Sequence, residues 1–109
     1  MKISYGKGLY RRLEGGRETI YTGEVILNHV KIYIDGKTDS FISLDRIEDI
    51  KKTKKGIEIK VVPSGSFIYT VLMEGQGIKR LLDDLLLLKG FKKVWIGKWK
   101  AKDFWKRFR

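Results

Sequence analysis

The sequence predicts a mainly β (α+β) domain, a small antiparallel barrel or two-sheet shell closed by one C-terminal amphipathic helix. Three observations carry this expectation. Ile78, Leu81, Leu82, Leu85 and Leu86 follow the i, i+3, i+4 spacing of a one-faced helix, with Lys79, Arg80, Asp83 and Asp84 on the other face. Upstream of that helix the apolar residues alternate in short runs bounded by glycine, asparagine, aspartate and serine. A chain of 109 residues with 42% hydrophobic and 12% aromatic residues is long enough for one core and short enough to hold only one.

The elements follow in order. Residues 1–16 are basic and glycine-bearing, and the four-residue spacing of Leu9 and Leu13 leaves a short helical turn or a loose arm open. Gly15-Gly16 separates this arm from the body. Residues 19–27 are β-branched and aromatic, with Gly23 at a bulge or bend. Asn28-His29 turns the chain into residues 30–34, whose Val30, Ile32 and Ile34 share a face. Asp35-Gly36 predicts a two-residue hairpin into residues 40–44, with Ile42 and Leu44 inward. A bend at Asp45-Arg46 accounts for the wider spacing of Ile47 and Ile50. Residues 51–56 form a lysine-rich hairpin tip, and Ile57, Ile59 and Val61 alternate with Glu58 and Lys60. Pro63-Ser64-Gly65-Ser66 is turn chemistry, residues 67–73 are the last strand, and Gly90 ends the helix in the left-handed conformation.

This order resembles the pleckstrin-homology-like (PH-like) superfold, and bacterial PH-like and GRAM-type domains in particular. The carriers are residues 30–34, then Ile42-x-Leu44-x-x-Ile47-x-x-Ile50. The hairpin to 57–61, the Ser64-Gly65-Ser66 turn, a strand and the helix at 78–88 complete the pattern. The likeness covers residues 17–90, with the arm (1–16) and the tail (91–109) outside it. It implies a binding module rather than a catalyst, with partners ranging from lipid headgroups to proteins, and fold likeness alone assigns no function.

Charge is segregated. Residues 18–90 are neutral, with 11 basic and 11 acidic residues, whereas residues 1–17 carry a net +4 and residues 91–109 a net +7 of the total +11. Such segregation marks a contact surface for an anionic partner. The absence of cysteine excludes disulfides and thiolate-held metal. No run is apolar enough to span a membrane and no secretory leader pattern is present, so a cytoplasmic protein, peripheral at a membrane, is expected. Asn28 and Gln76 are the only side-chain amides, a bias of heat-adapted proteins or of AT-rich coding.

Catalytic and metal constellations are poor, so no enzyme, cofactor, metal or small-molecule substrate is expected. His29 stands alone in a turn, and the adjacent Asp83 and Asp84 point roughly 100° apart on a helix, which suits surface ion pairs with Lys79 and Arg80 better than acid–base chemistry. Gly75-Gln76-Gly77 precedes a helix but lacks a nucleotide-loop fingerprint. Lys51, Lys52, Lys54 and Lys55 read either as a solvated turn or as part of a binding face.

The tail is the most informative stretch, since it holds all three tryptophans among lysines and arginines. Residues 91–96 are expected to fold back on the core, with Trp95 or Ile96 covering an outward Leu87. On a helical wheel of residues 98–109, Ala101, Phe104, Trp105 and Phe108 share one face. Lys98, Lys102, Lys106 and Arg109 flank it, and Lys100 and Arg107 lie opposite. With Trp99, this is the composition of a segment lying on an anionic lipid surface. It equally serves single-stranded nucleic acid, or docking on a protein partner or a second copy of the chain.

Overall fold

Alternating apolar residues give most strands one face to bury, and a single curled sheet with one helix buries those faces together. A computed structural model describes residues 1–65, 67–88 and 90–102. Among these residues the order is β1 (Lys2–Glu14), β2 (Arg17–Asn28), β3 (Lys31–Ile34), β4 (Phe41–Ser43), a 3₁₀ turn (Leu44–Arg46), β5 (Ile47–Lys52), β6 (Gly56–Val61), β7 (Tyr69–Gly75), α1 (Ile78–Leu88), β8 (Phe91–Trp95) and β9 (Lys98–Ala101). All neighbouring strands are antiparallel, in the spatial order β4-β3-β2-β1-β7-β6-β5-β9-β8.

The concave side holds the core. Ile32, Ile34, Ile42, Leu44, Ile47, Ile50, Ile57, Ile59, Val61, Val71 and Met73 are buried there. Helix α1 lies across β1, β6 and β7 and buries Ile78, Leu81, Leu82 and Leu85, the face expected from its spacing. Each such side chain withdrawn from water contributes on the order of 2 kcal/mol. Polar contacts also tie the helix to β1. The Tyr5 hydroxyl donates to Asp84 Oδ2 at 2.6 Å, and the Arg80 guanidinium stands 5.4 Å from the Tyr5 ring centroid. Asp84 therefore serves the helix–sheet contact rather than the expected surface ion pair.

Residues 1–16 are the largest correction. They are not an arm: β1 runs through the middle of the sheet, paired with β2 on one side and β7 on the other, with Tyr5 and Tyr10 buried. A bulge between Ser4 and Lys7, where Gly6 has φ 77°, shifts the alternation so that Tyr5, Gly8 and Tyr10 all face inward. That odd spacing hides the strand from a period-two reading. The bulge falls here and not at Gly23, which stays paired with Gly8.

Smaller corrections follow the same logic. Val30 is exposed, because the Asn28 side chain accepts the Val30 and Lys31 N–H groups and holds the turn open until Lys31. The β3–β4 connection spans residues 35–40 rather than a two-residue turn, and the buried Ser40 hydroxyl donates to Lys37 O at 2.7 Å to close it. Phe67 and Ile68 are exposed, and β7 starts at Tyr69. Gly90 has no left-handed φ; its carbonyl accepts the Lys102 N–H at 2.7 Å, which ties the helix end to the residue after β9. The 3₁₀ turn supplies the bend expected at Asp45-Arg46.

Candidate functional site

The lysine tip and the C-terminal segment meet because β9 pairs with the free side of β5. Asp49 stands opposite Lys100, Ile50 opposite Trp99 and Lys51 opposite Lys98. Lys52 N–H donates to the Gly97 carbonyl at 2.6 Å, so the β5–β6 turn (residues 53–55) and the β8–β9 turn at Ile96-Gly97 are neighbours. Helix α1 begins at the same end, since Glu74 near the end of β7 faces Gly56 at the start of β6.

Local chemistry makes both turns tight. Thr53 N–H donates to Gly56 O and the Gly56 N–H to Thr53 Oγ1 at 3.0 Å, closing the lysine tip. Gly97 has φ 84°, the conformation that ends a hairpin without a Cβ penalty. Gly77, in the stretch before the helix, serves packing: a Cβ there would strike the Tyr5 carbonyl.

Cross-strand rows define the electrostatics. The register lines up Glu58, Lys51, Lys98 and Trp95 in one row, and Lys60, Asp49, Lys100 and Lys92 in the next, on the side away from the core. Like charges face each other at Lys51–Lys98 and at Lys92–Lys100, an arrangement unfavourable for the sheet itself. Glu58 and Asp49 offset only part of it. Lys54 and Lys55 in the adjacent turn add two more cations, and Lys79 at the start of α1 another. Lys52, Lys54, Lys55 and Lys79 rim a cavity of about 170 Å³ whose floor includes Ile57, Ile78 and Leu82.

An apolar tip projects from this positive field. Ile96 is 89% and Trp95 55% exposed, and Val94 is exposed beside them. The Lys98 ammonium lies 4.5 Å from the Trp95 ring centroid, holding a cation on the tip. Leu87 is 85% exposed, so the expected cover by Trp95 or Ile96 is not made. Within residues 91–96 only Phe91 packs on the core. Further along the tail Trp99 also faces inward, half-buried against the core in the row with Ile50.

Of the residues picked from the sequence, Lys51, Lys52, Lys54, Lys55, Lys98 and Lys100 come together at this end, with Trp99 beneath them. Lys102 is exposed at the far end of β9. The helical reading of residues 98–101 gives way to strand β9, because backbone pairing with β5 and β8 outweighs a helix pattern. Phe104, Trp105, Lys106, Arg107, Phe108 and Arg109 lie outside the described residues. The reading from residue order assigns Trp95 and Ile96 to the core and leaves Lys79 and Lys92 out of the binding face. The signal for the tip was present: two apolar residues followed by Gly97 between two lysine-bearing strands read as a hairpin.

Other chemistry is sparse. Among the described residues no three histidine, aspartate or glutamate side chains gather as a metal site, and no helix is long and apolar enough to cross a membrane. The His29 ring stands 3.2 Å from the Met1 amine. Comparison of the chain with protein-family models, with curated proteins and with solved structures finds no match.

Proposed function

We propose that the chain is a non-catalytic, PH-like binding module that docks on an anionic membrane surface. The strand order β4-β3-β2-β1-β7-β6-β5, followed by a helix packed on β1, β6 and β7, supports the likeness. The observation that carries the docking reading is the exposed Trp95-Ile96 tip beside the lysines of the β5–β6 turn. Apolar side chains that enter the headgroup region and cations that meet anionic lipid are the two components of interfacial binding. Each lysine near such a surface contributes about 1 kcal/mol, so Lys51, Lys52, Lys54, Lys55 and Lys98 suffice for reversible docking without a closed headgroup pocket.

Co-sedimentation of the full chain with phosphatidylserine vesicles, against phosphatidylcholine vesicles and a single-stranded oligonucleotide, tests this. Binding to the anionic vesicles that weakens with salt and is lost in Ile96→Glu supports the reading. Tighter binding to the oligonucleotide, insensitive to Ile96→Glu, replaces it with nucleic-acid binding. Retention on neither rejects both.

A further inference from the structure

Four lysines without a counter-charge border the cavity between the β5–β6 turn and the first turn of α1. Lys52 closes β5, Lys54 and Lys55 sit in the turn, and Lys79 faces them from the helix. No carboxylate lines this cavity, and among the described residues none of the four ammonium groups has an ion-pair partner. Two acidic residues come near in register or sequence, and neither serves. Glu74 stands opposite Gly56, but it follows the inward Met73 and so belongs to the outer face of the sheet. Asp83 lies one helical turn past Lys79 and makes no ion pair with it. Such a cluster repels itself and draws an anion.

The turn also offers a neutral donor. Thr53 Oγ1 accepts the Gly56 N–H at 3.0 Å, which fixes the hydroxyl oxygen and leaves its proton for another acceptor. The floor beneath is aliphatic, from Ile57, Ile78 and Leu82. Cations and a hydroxyl above an apolar floor suit an anionic head that carries an alkyl chain. The cavity also adjoins the Trp95-Ile96 tip, because Lys52 N–H donates to the Gly97 carbonyl. A phosphate monoester brings a charge of about −1.5 to −2 near neutral pH and three acceptor oxygens, more of both than a diester, and lysine meets such a group as a point charge.

We propose that this cavity binds the phosphate monoester of an amphiphile, presented by a lipid headgroup or free in solution. The lysines hold the phosphate oxygens, the Thr53 hydroxyl donates to one of them, and the first carbons of the chain lie on the floor. The lipid case rests on the membrane reading above and makes docking selective for a phosphomonoester headgroup over a phosphodiester.

Two measurements on the full chain test it. Co-sedimentation with phosphatidylcholine vesicles containing phosphatidic acid or phosphatidylserine, at matched surface charge, reads the lipid case. Two-dimensional NMR titrated with butyl phosphate and with diethyl phosphate reads the cavity itself. About tenfold tighter retention on phosphatidic acid is expected, with saturable butyl phosphate shifts at Thr53 and Lys79 and weaker binding of diethyl phosphate. Lys79→Gln reduces the preference for phosphatidic acid to about twofold. Lys51→Gln, outside the cavity, weakens retention on both lipids alike and keeps the preference. Saturable butyl phosphate binding without retention on either vesicle assigns the cavity to a soluble ester and ends the membrane reading alone. Equal retention on the two vesicles overturns this inference and leaves the membrane reading standing. A preference unchanged in Lys79→Gln, or diethyl phosphate binding as tightly as butyl phosphate, overturns it as well, and no binding in either measurement rejects both readings.

Discussion

Gly56 and Tyr5 show how single residues hold the elements together. A Cβ at Gly56 would run into the Met73 carbonyl of the paired strand, and strand backbone cannot yield as a flexible side chain can. Gly56→Ala should cost about 2 kcal/mol or more, read from urea unfolding of the two proteins. Tyr5→Phe removes the bond to Asp84 and should cost about 1–2 kcal/mol, with a smaller loss when Asp84→Ala has already removed the acceptor. Burial holds Tyr5, Tyr10 and Tyr69 above the usual tyrosine range. The folded chain thus keeps these protons more tightly than the unfolded one. The stability that follows is fully present below pH ~10, the unfolded tyrosine value, and is lost as the pH rises beyond it. Urea unfolding between pH 8 and 11 should show stability falling above pH ~10, with a shallower fall in Tyr69→Phe.

The β8–β9 hairpin has two jobs, divided between the faces of its strands. Trp99 faces in, in the row with Ile50, and continues the core past β5; Trp95 and Ile96 face out at the turn. The same hairpin covers the edge of β5, which would otherwise offer unpaired backbone groups to another chain. Trp99→Ala should therefore cost about 2 kcal/mol, while Trp95→Ala and Ile96→Ala stay within about 0.5 kcal/mol, all read by thermal denaturation. The order reverses for vesicle binding: Trp95→Ala and Ile96→Ala weaken it most.

Across the whole molecule the two ends of the curled sheet differ in kind. One presents lysines and an apolar tip, the other buried tyrosines and an Arg12 stacked on Tyr69 and ion-paired with Glu14. Unpaired lysines suit an anionic surface, whereas a guanidinium already held by a carboxylate and a ring has little left to offer one. Replacing Lys51, Lys52, Lys54 and Lys55 by alanine should reduce vesicle binding steeply at low salt and little at high salt, with stability almost unchanged. Vesicle co-sedimentation over a salt series reads the first effect and thermal unfolding the second.

Most of the core was legible from residue order. Helix Ile78–Leu88 and the inward residues of β3 to β6 lie where their spacing put them, because period 3.6 and period 2 are local properties of a chain with one side to bury. Strand β1 was not legible, since its bulge breaks the period and its second partner, β7, lies far along the chain, although its first, β2, follows directly after the Gly15-Gly16 turn. The lysine end was half legible: residue order marked Lys51, Lys52, Lys54, Lys55, Lys98 and Lys100, yet nothing local says that residues 49–51 and 98–100 share a register. The cavity at the opposite end was not legible at all, because Arg12, Arg46 and Tyr69 are distant in the chain and wall it together only once the sheet has curled. Residue order thus determined which side chains leave water and where most of the charge lies. Which of them stand together was decided by backbone pairing between remote strands, a non-local choice that no short stretch encodes.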